Sequence, residues 1–512
     1  MRRYWLLILF NLLMECIAIG QPFDLITRFG FANCQFNSLL IKEGKLYCTG
    51  AIQDTVYPYI SLNVFACFES SGELNYFKVF RGDSTVSELG TFENSLIKTS
   101  DGGFALCGYT LYSGRASCLF IKYDSVGNVV NWNQYKLNAQ NFFGRNIAQA
   151  ADGGYYITGT VQYNSGDIDI FVMKLDANGQ QMWLKAYGDT SWLENSNSLV
   201  ITNNNKILVV GAQANGVTNP QYFYSYRKLM LLDSMGNILL DTIGVDPNVS
   251  SAFSTISTSD GGYIFSGSYI DVRSTGYAGE VGYIEKLDSN LQTVWKKKLG
   301  PDAPQSMTFL YSIKEQANGE LLASGSTFNN TASFPNQHQN GWVLKLTSDG
   351  DMLWSREYRG VTRKGQLIET NKLYDLDLSD NGKVFACGIA QDDNDTFPQK
   401  AWLIALDENG CLNSTFCGYT SIREPQNENV FELEIFPNPF FDFINVRIDS
   451  QFGSPISCNV YNTLGQLVYQ VNLQENDSKE VYSFDLGGLP SGIYTFEILT
   501  GQGKVLSRGF KK

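Results

Sequence analysis

The chain of 512 residues contains a single histidine, His338. A Ser-His-Asp triad, a histidine-based zinc centre or a histidine general base would each have to pass through that residue. It lies in a polar stretch, NQHQNG, and reads as a surface position. No Walker loop, GxSxG or CxxC motif occurs, so the usual signatures of nucleotide hydrolysis, α/β-hydrolase chemistry and dithiol exchange are missing. No Lys/Arg cluster stands out, and 38 basic against 51 acidic side chains leave a formal charge of −13. Nucleic acid and anionic membrane surfaces are therefore poor partners. Beyond the N-terminus no run approaches 18 apolar residues, so no transmembrane segment is expected.

What the chain does have is repetition. A short strand ending in glycine recurs seven times: LYCTG, FALCG, YYITG, ILVVG, YIFSG, LLASG and VFACG, closing on Gly50, Gly108, Gly159, Gly211, Gly267, Gly325 and Gly388. Copies 51 to 63 residues apart, with only strand-like patterning between them, predict a seven-bladed β-propeller. Residues 146–188 give the template of one blade. NIAQAADGGYYITG is strand a, a turn at Asp152-Gly153-Gly154 and strand b; IDIFVMKLDANGQQMWLKAYG is strand c, a turn at Asp176–Gly179 and strand d. Glycine in these turns supplies positive φ at little cost, and aspartate bonds its own backbone. The apolar strand c suits a sheet covered on both faces by neighbouring blades. Trp132, Trp183, Trp295 and Trp354 occupy matching places on strand d and are expected to pack between blades. Residues 21–30, QPFDLITRFG, read like a strand d and are expected to close the ring by joining the last blade.

The a–b and c–d turns share one end of a propeller, and the b–c and d–a loops share the other. Here the turns are short and nearly uniform, whereas the b–c loops vary from TVQYNSGDID to AQANGVTNPQYFYSYR and STFNNTASFPNQHQNG. Variable insertions gathered at one end mark an expected binding surface. Its aromatic candidates are Tyr112, Tyr163, Trp192, Tyr222, Tyr224, Tyr277, Phe334 and Phe397, which with neighbouring amides and carboxylates suit a glycan or a protein loop. No catalytic residue, metal site or cofactor is assigned. Asp392, Asp393 and Asp395 in QDDNDT offer oxygen ligands for Ca²⁺ but lack EF-hand spacing and read better as a solvated loop. A glycoside hydrolase or lyase drawing carboxylates from distant loops remains the alternative to binding. Arg81-Gly82-Asp83 aligns with Tyr187-Gly188-Asp189 at the end of another strand d, so the repeat accounts for it.

Arg2, Arg3, an apolar core from Tyr4 to Met14 and Ala18-Ile19-Gly20 give residues 1–20 the pattern of a signal peptide. Export permits disulfides among the nine cysteines that remain after cleavage. Cys411 and Cys417, in one tight loop, are the expected pair; Cys48–Cys67 and Cys107–Cys118 are expected as cross-strand pairs within blades.

After a polar linker at 421–435 the composition changes, and short alternating strands from 436 to 512 predict a small separate β-sandwich behind the 21–420 propeller. This tail carries Pro437-Asn438-Pro439, a turn from Asn462 to Gly465, Asp485-Leu486 to Leu489, Ser491-Gly492-Ile493-Tyr494, and the terminal Lys511-Lys512. In these residues and their order it resembles the type A C-terminal sorting domain of type IX secretion cargo from Bacteroidota. The resemblance implies handling by the type IX machinery and a protein secreted or attached at the outer-membrane surface. KLDANGQQMWLKAYG also resembles the D-x-x-G-x-x-x-W pattern of quinoprotein repeats; in that family the motif packs blades together, and it implies no quinone.

Overall fold

The computed structural model describes residues 23–412, apart from 55–59, 83–87, 216–224, 247, 273–277, 301–306, 330–337 and 362–366. In the tail it describes 433–436, 442–448, 455–462, 466–472, 481–490, 492–500 and 503–511. All regular elements among them are strands. Two compact units form: Met1–Gly360 with Glu369–Ile422, and Val361–Ile368 with Arg423–Lys512. The expected domain limits at 420/421 and 435/436 fall at or beside undescribed residues, as do the signal peptide and Cys417.

In the first unit, strand pairing resolves seven four-stranded antiparallel groups. The third is Asn141–Gln149, Tyr155–Gln162, Ile168–Leu175 and Gln181–Tyr187, paired in chain order. Seven inner strands, Cys34–Lys42, Glu88–Lys98, Asn141–Gln149, Trp192–Ile201, Val249–Ser257, Met307–Glu315 and Thr370–Leu378, each touch the next, and the last touches the first. The ring is therefore closed. Its seventh group takes its outer strand from the N-terminus: Phe23–Thr27 pairs antiparallel with Gln399–Leu406, as the sequence predicts. Around that seam the Trp402 indole donates to Asp24 at 2.7 Å, and the Asp375 and Asp377 carboxylates accept from the Leu39 and Ile41 amides at 2.9 and 2.7 Å.

The repeated glycines have one common cause. Each inner strand carries a bulge opposite the glycine of strand b, as at Phe36/Ser38 opposite Gly50 and Leu310/Ser312 opposite Gly325. The bulge pushes a carbonyl into the space a β-carbon would need: 1.9 Å from it at Gly50, 2.2 Å at Gly108, 2.0 Å at Gly159 and Gly211, and 1.8 Å at Gly267, Gly325 and Gly388. Any side chain there would have to displace backbone, which is why the position is glycine in every copy.

Strand c is buried along its length, as in Ser61–Glu69 and Gln399–Leu406, while strand d alternates and forms the outer edge, as in Leu74–Phe80. The strand-d tryptophans pack between blades as expected. Trp183, Trp295 and Trp354 lie against Gly236, Gly350 and Gly410 in the c–d turns of the following blades. A second stitch, not foreseen, runs beside them: the hydroxyls of Tyr187 and Tyr358 donate to the carbonyls of Gly236 and Gly410 at 2.8 and 2.6 Å, and Tyr135 does the same to Gly179.

The two expected cross-strand disulfides do not form. Register places Cys48 opposite Ala66 and Tyr47 opposite Cys67, so these thiols emerge on opposite faces of the sheet. Cys107 faces Phe120 and Cys118 faces Tyr109; the thiols share a face but are offset by a residue pair. All four are free and buried. Cys411 is disulfide-bonded.

The second unit is a sandwich of a three-stranded sheet (Leu433–Phe436, Phe443–Ile448, Val481–Asp485) and a four-stranded sheet (Leu467–Asn472, Pro455–Tyr461, Gly492–Thr500, Gly503–Lys511). Ile444, Val460, Tyr482, Phe484, Tyr494, Phe496 and Ile498 fill its core.

Candidate functional site

The two ends of the ring differ as the sequence suggests. At one end, a–b and c–d turns repeat the same backbone bonds: Gly102 N to Thr99 O, Gly153 N to Ala150 O, Gly261 N to Thr258 O and Gly382 N to Ser379 O in the a–b set, with Gly127, Gly179, Gly236 and Gly350 alike in the c–d set. Several a–b turn acids are pinned by a strand-c lysine, Asp101 by Lys122, Asp152 by Lys174 and Asp260 by Lys286, at 2.6–2.8 Å. The partner lysine first, then the turn threonine, hold the carboxyls of Asp101 and Asp260 down at about 2.

The opposite end carries the b–c and d–a loops, and the described candidates Tyr112, Tyr163, Trp192 and Phe397 fall there. Tyr112 closes its strand b and is 56% exposed. Tyr163 follows strand b of the third blade and packs on the core between the second and third blades, while Trp192 begins the inner strand of the fourth. The Tyr163 hydroxyl bonds the Asp169 carboxylate, and Trp192 packs edge-on against Tyr226 with ring centroids 6.3 Å apart. Phe397 is half-buried; its amide donates to Asp395 at 3.2 Å and its carbonyl accepts from Arg28 at 3.3 Å. Tyr222, Tyr224, Tyr277 and Phe334 lie outside the described residues.

The junction of blades three and four holds groups the sequence did not single out. Glu194, 1% exposed, has one oxygen with no hydrogen-bond partner. Burial raises its carboxyl to about 7; Lys228 opposes that rise, and Asp189, Asp169 and Asp167 add to it. Asp169 is raised as well, by burial first and then by Asp167. Lys228 bridges Gln213 at 3.2 Å and Asp241 at 3.3 Å. These acids are scattered over a strand-c start, a d–a loop and an inner strand, so only their packing reveals the group.

Between the first and second blades lies a small cavity of about 200 Å³ lined by Gln35, Gln53, Ser61, Glu88 and Tyr109. The Tyr109 hydroxyl donates to Glu88 at 3.1 Å, and its ring occupies the space a β-carbon on Gly90 would take.

The Asp392–Asp395 loop is held by cations of the protein itself. The Lys400 ammonium is 3.1 Å from both Asp392 and Asp395, the place a Ca²⁺ ion would need, and Arg28 reaches Asp395 at 3.5 Å. Among the described residues no group of three His, Cys, Asp or Glu side chains is placed to hold a metal ion. Arg81 pairs with Asp54 at 3.3 Å; Asp83 lies outside the described residues.

Of the sorting-motif residues, Tyr494 is buried and its hydroxyl caps the Pro490 carbonyl at 2.6 Å. Gly492 and Lys511 pair at the two ends of the last hairpin. Pro437, Asn438, Pro439, Gly465 and Lys512 lie outside the described residues.

Comparison with known proteins separates the two units. A search of curated protein sequences finds no match. Among solved structures the chain is similar to an ulvan lyase of a new polysaccharide lyase family (10% identity, TM-score 0.45, covering 76% of this chain and 96% of that one). It is also similar to Drosophila plexin A in complex with semaphorin 1b (9%, 0.42, 77% and 88%), and to an α-L-arabinofuranosidase from Fusarium graminearum (10%, 0.37, 76% and 97%). Likeness at this level concerns the fold alone. Residues 434–511 match the family described as secretion system C-terminal sorting domain. The tail is thus a C-terminal sorting domain, and the chain is type IX secretion cargo, secreted or attached at the outer-membrane surface.

Proposed function

We propose that the propeller is a recognition module that binds a glycan or a protein with its loop-bearing end, outside the cell or on its surface. The contrast between the two ends carries this reading. The same strands are joined by uniform, internally bonded turns at one end and by loops of changing length and aromatic content at the other. Fold maintenance accounts for the first end; freedom to vary where aromatic and amide side chains collect accounts for the second.

The alternative, a hydrolase or lyase, draws support from Glu194, whose raised carboxyl suits a general acid. Burial weighs against it, because at 1% exposure Glu194 does not face a ligand. The test is to incubate the whole chain with a polysaccharide panel and with outer-membrane proteins, reading both retention and released sugar. Retention without release is expected. Alanine at Trp192, Tyr222 and Tyr224 together should weaken retention at least tenfold while leaving the propeller folded. Unchanged retention would remove the assignment to this end, and released sugar would replace binding by catalysis.

A further inference from the structure

The bulges that explain the glycines also furnish the channel of the ring. Six inner strands place one extra residue there: Asn37, Arg145, Asn197, Phe253, Tyr311 and Tyr374. The second blade places three, because its pairing jumps from Thr91–Gly108 to Leu96–Leu106. This longer insertion, around Phe92–Asn94, crosses the channel. The Asn94 side chain donates to the Tyr311 carbonyl of the sixth blade at 2.7 Å, and Asn146 of the third blade donates to the Asn94 carbonyl at 2.9 Å. Asn94 adopts φ +54°, consistent with a tight local turn. The channel is thereby blocked partway, and Phe92, Phe143, Arg145, Lys372 and Tyr374 around the block stay partly exposed.

Three charged side chains occupy this blind end. Arg145 lies 3.8 Å over the Phe92 ring and 6.0 Å from the Phe143 ring centroid. Its Nε is buried without an acceptor. Lys372 comes from the inner strand of the seventh blade, two residues before its bulge residue Tyr374. Glu93, on the insertion, is the carboxylate that acts on both cations. Neither cation forms an ion pair with a described residue, and burial lowers the proton affinity of both. Glu93 is the one described carboxylate that acts on both cations, and it makes a salt bridge with neither, inside a chain whose net charge is −13. Aromatic rings surround the cations: Phe92 against Phe143 at 6.1 Å, Tyr311 against Phe309 at 6.0 Å and against Tyr374 at 5.3 Å.

A buried cation costs free energy unless an anion reaches it, and a guanidinium takes a carboxylate or sulfate in paired hydrogen bonds. Rings beside it suit the apolar face of a pyranose. We propose that the blind channel binds an acidic sugar, using Arg145 and Lys372 for its carboxylate or sulfate ester and the neighbouring aromatic side chains for its ring. This rests on the reading that the loop-bearing end binds a glycan, and it names the class. The negative exterior does not oppose it, since charges more than about 10 Å away are screened at ordinary salt.

The test is affinity electrophoresis of the whole chain in gels containing polygalacturonate, a sulfated galactan or a neutral xylan. Retardation by either acidic polymer is expected, weakened at least tenfold by Arg145→Gln and by Lys372→Gln and strengthened by Glu93→Gln. Arg145→Lys should keep part of it, separating lost charge from lost packing on Phe92, and thermal melting reports whether each variant folds. Retardation by xylan alone, or acidic retardation that survives both glutamine variants, overturns the proposal and leaves glycan binding standing. Retardation by none of the polymers removes both.

Discussion

The turn end and the loop end of the propeller are built from the same twenty-eight strands, yet the turns repeat from blade to blade and the loops differ in length and content. At the turn end each blade leans on the next through fixed devices: a tryptophan against a turn glycine, a tyrosine hydroxyl on that glycine's carbonyl, a lysine on a turn aspartate. At the loop end successive blades are joined by single parallel bridges, such as Ser61–Glu88 and Ile168–Leu193. A repeated sequence feature in this chain therefore reports on assembly of the ring, and a departure from the repeat is where a specific task should be sought.

Breaking the repeat itself should have the largest effect. Gly388→Ala puts a β-carbon 1.8 Å from the Lys372 carbonyl and should cost at least about 4 kcal/mol in chemical denaturation, enough to place the variant among exceptional destabilisations. A cost below about 1 kcal/mol would mean that the bulge is pliable. Next is the charge at the junction of blades three and four. The folded-state carboxyl of Glu194 is raised to about 7, above its unfolded value. Its charged form is therefore penalised in the folded state at pH 8, and the penalty is relieved as pH falls through 7 toward the ordinary carboxylate range. Glu194→Gln should raise stability at pH 8 by at most about 3 kcal/mol and by nothing at pH 4. Equal effects at both pH values would show that the carboxylate is not penalised.

The turn end should respond in the opposite sense. Asp101 and Asp260 are held at about 2, so the stability they contribute is present above the ordinary carboxylate range and lost as pH falls toward 2. Melting temperature should peak near pH 5, and Asp101→Asn should matter at pH 7 but not at pH 2. Tyr187→Phe, which removes one stitch at Gly236, should cost about 1 kcal/mol. At the loop end Tyr112→Ala, at a side chain already 56% exposed, should change stability by less than about 0.5 kcal/mol while weakening ligand retention.

The propeller was legible because its constraints recur: seven glycines, the Asp-Gly turns and the strand-d tryptophans each appear in several copies, and the N-terminal strand resembles the element it replaces. The cysteine pairs were not legible, because facing thiols depend on a single-residue register that the pattern of apolar residues leaves open at Cys48 and Cys67. The tyrosine stitches repeat only at Tyr135, Tyr187 and Tyr358 and read as ordinary strand residues. Glu194 and Asp169 are distant in their local settings and converge only through blade packing. The insertion at Phe92–Asn94 did leave a trace, since the second inner strand is two residues longer between its pairing points than the others. That trace becomes informative only once the bulge is known.

The closing strand gives the ring a direction in time. Phe23–Thr27 is the first described strand, and it pairs with Gln399–Leu406, the last strand of the first unit. A chain delivered across a membrane from its N-terminus therefore presents one half of the clasp first and must hold it unpaired until nearly all the rest has followed. Every partly delivered chain exposes an open strand edge, and the last event in folding joins the oldest segment to one of the newest. The sorting tail follows that clasp in the chain, so the signal read by the secretion machinery arrives when the cargo has the residues it needs to close.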